Sequence, residues 1–355
     1  MGEYSTRIET REVAERVLRR HFARVEPARY AYPEVLSLQA AVNLELATGD
    51  AELRRWNRAL LRPFVAGELT QRMGAYRLYN LGGAATARLV LLGLLPEAEE
   101  AVAQSAEKLV RDCPRGPEGF LACQTSDRHG PGQVWIDMVF ATCPFLVFAG
   151  LHFGRDEWLE AAAGQLSAMH TLFWDSACGL YNQAVNIRRA GHRTEDHWSR
   201  GNGWGILGLC EAAAHLPGRV ARRERVRQLL RDHLAACLAQ QDDEGMWHQE
   251  MTDPASYVET SGTGLILYAL GVALEHALCP PEWRSALLRG LRGYAGYIAL
   301  DGSVHNCCIG CMCPGEGTPA DYKAREWRRN DPHAFGPAAL AFGQAHRLGI
   351  RELVV

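Results

Sequence analysis

The sequence predicts an all-α fold, an (α/α)6 barrel, in which six helix pairs close into a toroid with long loops gathered at one end. Three observations lead there. Apolar residues recur at spacings of three and four in segment after segment. The helical segments alternate between amphipathic ones and ones that are apolar nearly all round. The connections are long at every second junction of that alternation.

Taken in order, the helical pattern covers residues 9–24, 34–48, 50–62, 83–94, 97–112, 137–153, 155–173, 202–216, 219–241, 258–275, 280–298 and 334–348. Segments 51–61, 97–110 and 222–237 are rich in Arg, Glu and Ala and carry one apolar face, as expected of an outer layer. Segments 85–95, 136–151, 205–216, 262–274 and 335–348 are rich in Gly and Ala and apolar on every side, so they belong inside. Extended stretches are few and short, such as Gly245-Met246-Trp247-His248-Gln249. The long connections are 66–82, 114–135, 175–201, 242–257 and 301–333, and each precedes an inner helix. Long loops of this kind are usually functional, and five opening on one end line one shared cleft. With no linker or low-complexity tract, residues 1–355 are expected to form one domain.

The totals narrow the function. The 355 residues are 47% hydrophobic and 22% charged, with a net charge of −3. No clustered basic surface of the kind nucleic-acid binding needs is evident. The densest basic run, residues 219–231, is interrupted by Glu224 and reads as a solvated helix face. No apolar run is long enough to span a membrane, and residues 1–6 lack a signal core. The eleven cysteines are odd in number and mostly scattered, as expected of reduced thiols in a cytoplasm. The expectation is a cytoplasmic protein without nucleic-acid or membrane partners.

Candidate chemistry sits in the long loops and at the starts of the inner helices. His197-Trp198-Ser199-Arg200-Gly201-Asn202-Gly203-Trp204 sets two indoles and a guanidinium around a Gly-Asn-Gly turn. Indoles stack on sugar rings or bases, and arginine offers a planar fork to a carboxylate or phosphate; the same residues also suit a helix start with core aromatics. Gln133-Val134-Trp135-Ile136-Asp137 places a carboxylate beside an indole at a helix entry. Desolvation there raises a carboxyl pKa and suits a general acid, although an N-cap is the stronger reading of the residues alone. Glu259, after Tyr257-Val258, reads as an acceptor for sugar hydroxyls, a second catalytic carboxylate, or a first-turn glutamate complementing the helix dipole. His333, after Asn330-Asp331-Pro332, reaches the cleft or caps its own helix. His305 and Cys307, Cys308, Cys311 and Cys313 form the one cysteine cluster. Small buried loop cysteines are the favoured account, with zinc and redox chemistry as alternatives. Phosphate-loop, nucleophile-elbow and zinc-protease motifs are absent.

Together these elements resemble the unsaturated uronyl hydrolases, in particular the unsaturated rhamnogalacturonyl hydrolases of glycoside hydrolase family 105, related to family 88. The resemblance runs from about Tyr79 to Leu348. It rests on Asn80-Leu81, Gln133-Val134-Trp135-Ile136-Asp137, Pro144-Phe145-Leu146, Gly179-Leu180-Tyr181, Trp198-Ser199-Arg200-Gly201-Asn202-Gly203-Trp204, Tyr257-Val258-Glu259-Thr260-Ser261, and Asn330-Asp331-Pro332-His333 with Gly336. It implies an (α/α)6 barrel and a reaction needing no metal or cofactor. An aspartic acid protonates the double bond of a terminal 4,5-unsaturated uronic acid, water adds at the neighbouring carbon, and the hemiketal collapses to release the next sugar of a small oligosaccharide. By position the acid is Asp137. Trp135, Trp198, Arg200, Asn202, Trp204, Glu259 and His333 are the implied substrate contacts. The chain departs from the family pattern at Gly82-Gly83, where many members carry a second aspartate, at Ala122-Cys123 in place of His-Lys, and at Asn182-Gln183 in place of His-Gly. Asp127, His129 and Asp196 are candidates to compensate. Two alternatives stand beside this reading: another sugar-active enzyme pairing Asp137 with Glu259 or Asp331, and a carbohydrate-binding protein that has lost catalysis.

Overall fold

A computed structural model describes residues 7–26, 31–68, 81–122 and 132–355. The outer helices are α1 (Thr10–Phe22), α3 (Ala51–Val65), α5 (Glu99–Asp112), α7 (Asp156–Phe173), α9 (Arg223–Ala239) and α11 (Arg284–Ala295). They alternate along the chain with the inner helices α2 (Tyr32–Thr48), α4 (Gly83–Leu91), α6 (Met138–Phe153), α8 (Ser199–His215), α10 (Thr260–Glu275) and α13 (Pro332–Arg347). The inner helices pack in sequence, α2 on α4, α4 on α6, α6 on α8, α8 on α10 and α10 on α13, and the ring closes where α13 meets α2. One apolar cluster runs round it from Val13 to Leu353.

The layers follow from side-chain chemistry. Helix α6 is buried continuously from Met138 to Gly150, as a helix apolar on all sides must be. Helices α3 and α5 bury only a stripe. Helix α2 is the inner helix that apolarity alone did not mark, because it carries Glu34, Gln39, Asn43 and Glu45, all buried. Each of the last three finds a partner inside: Gln39 donates to Glu211 (2.9 Å), Asn43 to the Tyr268 hydroxyl (2.9 Å), and Glu45 accepts from Asn57 (2.8 Å). Burial without such bonds would cost a few kcal/mol per group, roughly.

Close backbone approach holds α8 to α10. A Cβ on Gly262 would sit 2.5 Å from the Ser199 hydroxyl, and one on Gly203 2.8 Å from Leu265. The Gly-Asn-Gly segment, expected as a turn before a helix from residue 202, lies inside the first turns of α8 instead. The Asn202 N–H donates to the Trp198 carbonyl (3.0 Å), and its side chain ties that turn to Tyr181.

Among the described residues eight short strands form four antiparallel pairs. β1 (Arg7–Glu9) and β8 (Glu352–Val354) join antiparallel near the chain ends, with Ile8 opposite Leu353. β2 (Val134–Trp135) pairs with β5 (Ala184–Val185), and β3 (Trp174–Asp175) with β4 (Leu180–Tyr181). β6 (Cys307–Cys308) pairs with β7 (Trp327–Arg328), and the short helix α12 (Pro319–Lys323) lies between them. The stretch 245–249, expected as extended, makes only an isolated bridge from His248 to Val258. None of the described helices is long and apolar enough to cross a membrane.

Candidate active site

The first turns of the inner helices meet at one end of the ring. Tyr32 opens α2, Asp137 precedes α6, Trp198 and Arg200 open α8, Glu259 and Ser261 open α10, and Asp331 and His333 open α13. Helix N-termini carry partial positive charge and unpaired N–H groups, so several turned on one cleft favour an anionic ligand.

Asp137 is the N-cap of α6 by position but not by bonding. Its backbone is already helical (φ −54°, ψ −26°) and its side chain makes no cap bond. The cap reading therefore fails, and the carboxyl is left for other work. Its Oδ2 is buried without a hydrogen-bond partner. Burial raises its pKa to about 7, with Asp196 adding to the rise, against the lowering pull of Arg200 and Gln183. Asp137 is thus substantially protonated near neutrality, while Arg200 remains available to stabilise its anion. Asp196 is itself fully buried and raised to about 6 by burial. It accepts from the backbone N–H of Gln183 (3.0 Å) and of Trp198 (3.2 Å).

Arg200 is buried as well. It donates to the carbonyls of Cys308 (2.7 Å) and Ile309 (2.8 Å) and to the Ser261 hydroxyl (3.0 Å), and lies 3.9 Å from Glu259. Its guanidinium carbon stands 4.5 Å from the Trp198 ring centre. Arg200 therefore braces β6 and the residue that follows it, and gives the cleft a fixed positive charge. It does not extend a free fork into solvent.

Two expected sugar contacts are framework residues. Glu259 is a true N-cap: its carboxylate accepts from the N–H groups of Ser261, Gly262 and Cys308 and from the hydroxyls of Ser199 and Ser261. Asn202 bonds Tyr181 in both directions, donates to the Trp198 carbonyl and contacts His233 at 2.9 Å. Both are fully buried and have no polar atom left for a ligand. Trp135, Trp198 and Trp204 are each about 1% exposed. Trp135 is held in the β2–β5 pair, and Trp204 stacks on Phe140 with ring centres 4.8 Å apart. They form the walls behind the first turns.

His333 is joined to Asp331 through Nδ1 (2.5 Å) and to the Tyr32 hydroxyl through Nε2. Burial and Arg200 hold His333 below the ordinary histidine range. Burial alone would raise Asp331, but the hydrogen bonds from His333 outweigh it and keep the carboxyl low. A neutral imidazole donating to Asp331 and accepting from Tyr32 satisfies both partners. Tyr32 is 37% exposed and stands edge-on to Trp204, with ring centres 6.4 Å apart.

Sequence reasoning missed Tyr32 and Gln183. Tyr32 precedes Pro33 in a stretch that matches none of the motifs above. Gln183 ties the 311–313 loop to the cleft floor, donating to the Cys311 carbonyl (3.0 Å) and accepting from the Cys313 N–H (2.8 Å). Its signal was the departure from the family pattern. Gly82 adopts φ +84°, where a Cβ would lie 2.7 Å from Thr86, so the backbone itself disfavours a side chain there. Cys123, Asp127 and His129, and the Asn80 of the family pattern, lie outside the described residues. Cys307, Cys308, Cys311 and Cys313 are free and buried. Among the described residues they and His305 do not bring three ligand atoms together.

The sequence matches the description of Glycosyl Hydrolase Family 88 over residues 6–348. It is 28% identical over 173 residues to an unsaturated rhamnogalacturonyl hydrolase of Bacillus subtilis, covering 48% of this chain and 50% of that protein. It is 25% identical over 249 residues to an unsaturated 3S-rhamnoglycuronyl hydrolase of Formosa agariphila, covering 64% and 62%. The matched stretch thus spans about half the length of the Bacillus subtilis protein and under two thirds of the other. The structure superposes on a possible member of the GH105 family from Salmonella enterica with a TM-score of 0.84 at 19% identity, covering 96% of this chain and 94% of that one. That likeness supports the (α/α)6 barrel.

Proposed function

Because the chain belongs to Glycosyl Hydrolase Family 88, we propose that it removes a 4,5-unsaturated uronic acid from the non-reducing end of small oligosaccharides by hydrating the vinyl-ether double bond. The observation that carries this reading is Asp137: a carboxyl with a buried, unpartnered oxygen, raised to about 7, among converging helix N-termini. Such a group donates a proton at neutral pH and is stabilised as an anion by Arg200 once it has done so.

In this mechanism Asp137 transfers its proton to C4 of the double bond, leaving positive charge shared between C5 and the ring oxygen. The Asp137 carboxylate then takes a proton from the water that adds at C5. The resulting C5 hemiketal opens at its ring oxygen to a ketone, which leaves a hemiacetal at C1; this collapses to an aldehyde, the glycosidic oxygen leaves as the hydroxyl of the next sugar, and Asp137 ends protonated as it began. One carboxyl suffices, whereas an ordinary glycosidase needs two across the scissile bond. The bonding of Glu259 and Asp331 favours the single-acid reading, since one is taken up by cap bonds and the other is tied through Oδ1 to the backbone and ring of His333. The positive field of the helix termini and Arg200 suits the substrate carboxylate. Tyr32, held by His333, is the exposed aromatic positioned to meet the sugar, with Trp204, Trp198 and Trp135 as the wall behind it.

The test uses unsaturated disaccharides released by pectin and glycosaminoglycan lyases, with loss of the conjugated double bond followed in the ultraviolet. The proposal expects loss with at least one of them. Binding without turnover favours the lapsed carbohydrate-binding reading, and turnover of saturated uronides favours a carboxylate pair.

A further inference from the structure

A second cluster of chemically capable side chains lies beside the cleft and takes no part in the mechanism above. Asp175 ends β3, Cys178 lies in the turn to β4, and His197 precedes Trp198. A carboxylate oxygen, the thiol sulfur and an imidazole nitrogen from these three lie within 4.8 Å of one another, and all three residues are half-buried. Among the described residues no other group brings three such ligands together.

The cluster is held from outside. The turn is set by the Asp175 carbonyl accepting from the Gly179 N–H (2.8 Å) and its Oδ1 accepting from Ala177 (2.9 Å), leaving Oδ2 turned to His197 Nε2 at 3.0 Å. The His197 backbone N–H is anchored on both oxygens of Glu250 (2.9 Å each). The ring's other nitrogen, Nδ1, faces Glu250 Oε1 at 3.3 Å and the Thr252 hydroxyl at 3.3 Å. A carboxylate behind the far nitrogen of an imidazole is the arrangement that orients metal-bound histidines and strengthens them as ligands.

We propose that Asp175, Cys178 and His197 bind a divalent first-row transition cation, zinc above all, with Glu250 as the orienting carboxylate behind His197. One thiolate, one imidazole and one carboxylate suit zinc better than magnesium or calcium, which prefer all-oxygen sets. Three protein ligands leave a fourth tetrahedral position to water, which the partial exposure of the cluster admits. Binding staples the β3–β4 hairpin to the segment leading into α8, and through Glu250 to the loop before α10. The proposal does not rest on the hydrolase reading, and its test does not use activity.

The full-length protein is stripped with a chelator and titrated with cobalt(II) alone as a spectroscopic probe. The expected result is a thiolate-to-cobalt charge-transfer band and the strong visible bands of four-coordinate cobalt, both abolished by stoichiometric zinc. C178S removes the charge-transfer band. E250Q keeps it with affinity lower by about 10–100-fold, the usual effect of losing such a partner. C308S/C311S leaves the spectrum unchanged. Circular dichroism confirms that each variant is folded, and C178S, which exchanges one half-buried atom, keeps the test decisive if the Glu250 variant does not fold. Absence of the band in the wild-type protein, its survival in C178S, or its loss in C308S/C311S overturns the assignment.

Discussion

Replacing Asp137 by asparagine is expected to slow the reaction sharply and to stabilise the protein increasingly as pH rises from about 4 to about 7. The carboxyl titrates near about 7 in the folded chain, against an ordinary value of 3.8. A folded pKa raised above the unfolded one leaves stability intact below the unfolded value and removes it as pH rises through the folded one. The gap of about 3 on the pH scale corresponds to about 4 kcal/mol as an upper bound. Asp137 is partly open to the cleft, so solvent screening brings the expected figure to about 2 kcal/mol. Asparagine cannot ionise and escapes that loss. The melting temperature of Asp137→Asn should therefore gain about 3 °C on that of the wild type between pH 4 and pH 8. Scanning calorimetry of both proteins across that range measures it. Over the same range kcat/KM of the wild type should fall above about pH 7, and the variant should be slower by about 10²–10⁴-fold. A difference in melting temperature that stays flat with pH would refute the argument, because the acid would then not be held neutral by burial.

Three further outcomes follow from the same geometry. Arg200→Met, which leaves buried Glu259 without its nearby cation and two carbonyls without donors, should cost about 3–5 kcal/mol in denaturant unfolding. Tyr32→Phe should leave the fold intact and lower kcat by up to about tenfold, the value of one lost hydrogen bond to His333; steady-state kinetics on an unsaturated disaccharide shows it. Gly262→Ala should destabilise by about 1–3 kcal/mol through overlap with Ser199, read as a lower melting temperature.

The alternation of layers was legible because each helix carries its own record of burial. Helix α6 has no polar side and α5 has one. Helix α2 escaped that logic, since Gln39, Asn43 and Glu45 look like a wet face until their partners on α3, α8 and α10 are known. In the site, the residues around Asp137 read first as a helix cap, and only the missing cap bond and the buried Oδ2 set it apart from one. Glu259 shows the limit of such signals. A first-turn glutamate reads alike whether it binds a ligand or caps its helix, and here only the bonds to Ser261, Gly262 and Cys308 separate the two. Arg200 is a similar case: its charge was foreseeable, whereas its bonds to the Cys308 and Ile309 carbonyls depend on a strand more than a hundred residues away. Tyr32 carried no local pattern, because its meaning comes wholly from His333.

The Tyr32–His333 contact joins residues 301 positions apart, across the seam where α13 meets α2. Bringing such distant segments together carries a large loop-closure cost, so the seam is expected to shut late in folding. Until it does, the cleft lacks one wall and Tyr32 lacks the partner that fixes its hydroxyl. A ring assembled up to α10 would own the acid but not the pocket. Competence for catalysis thus arrives only with closure of the circle, and a partly folded chain has no means of acting early on a passing sugar.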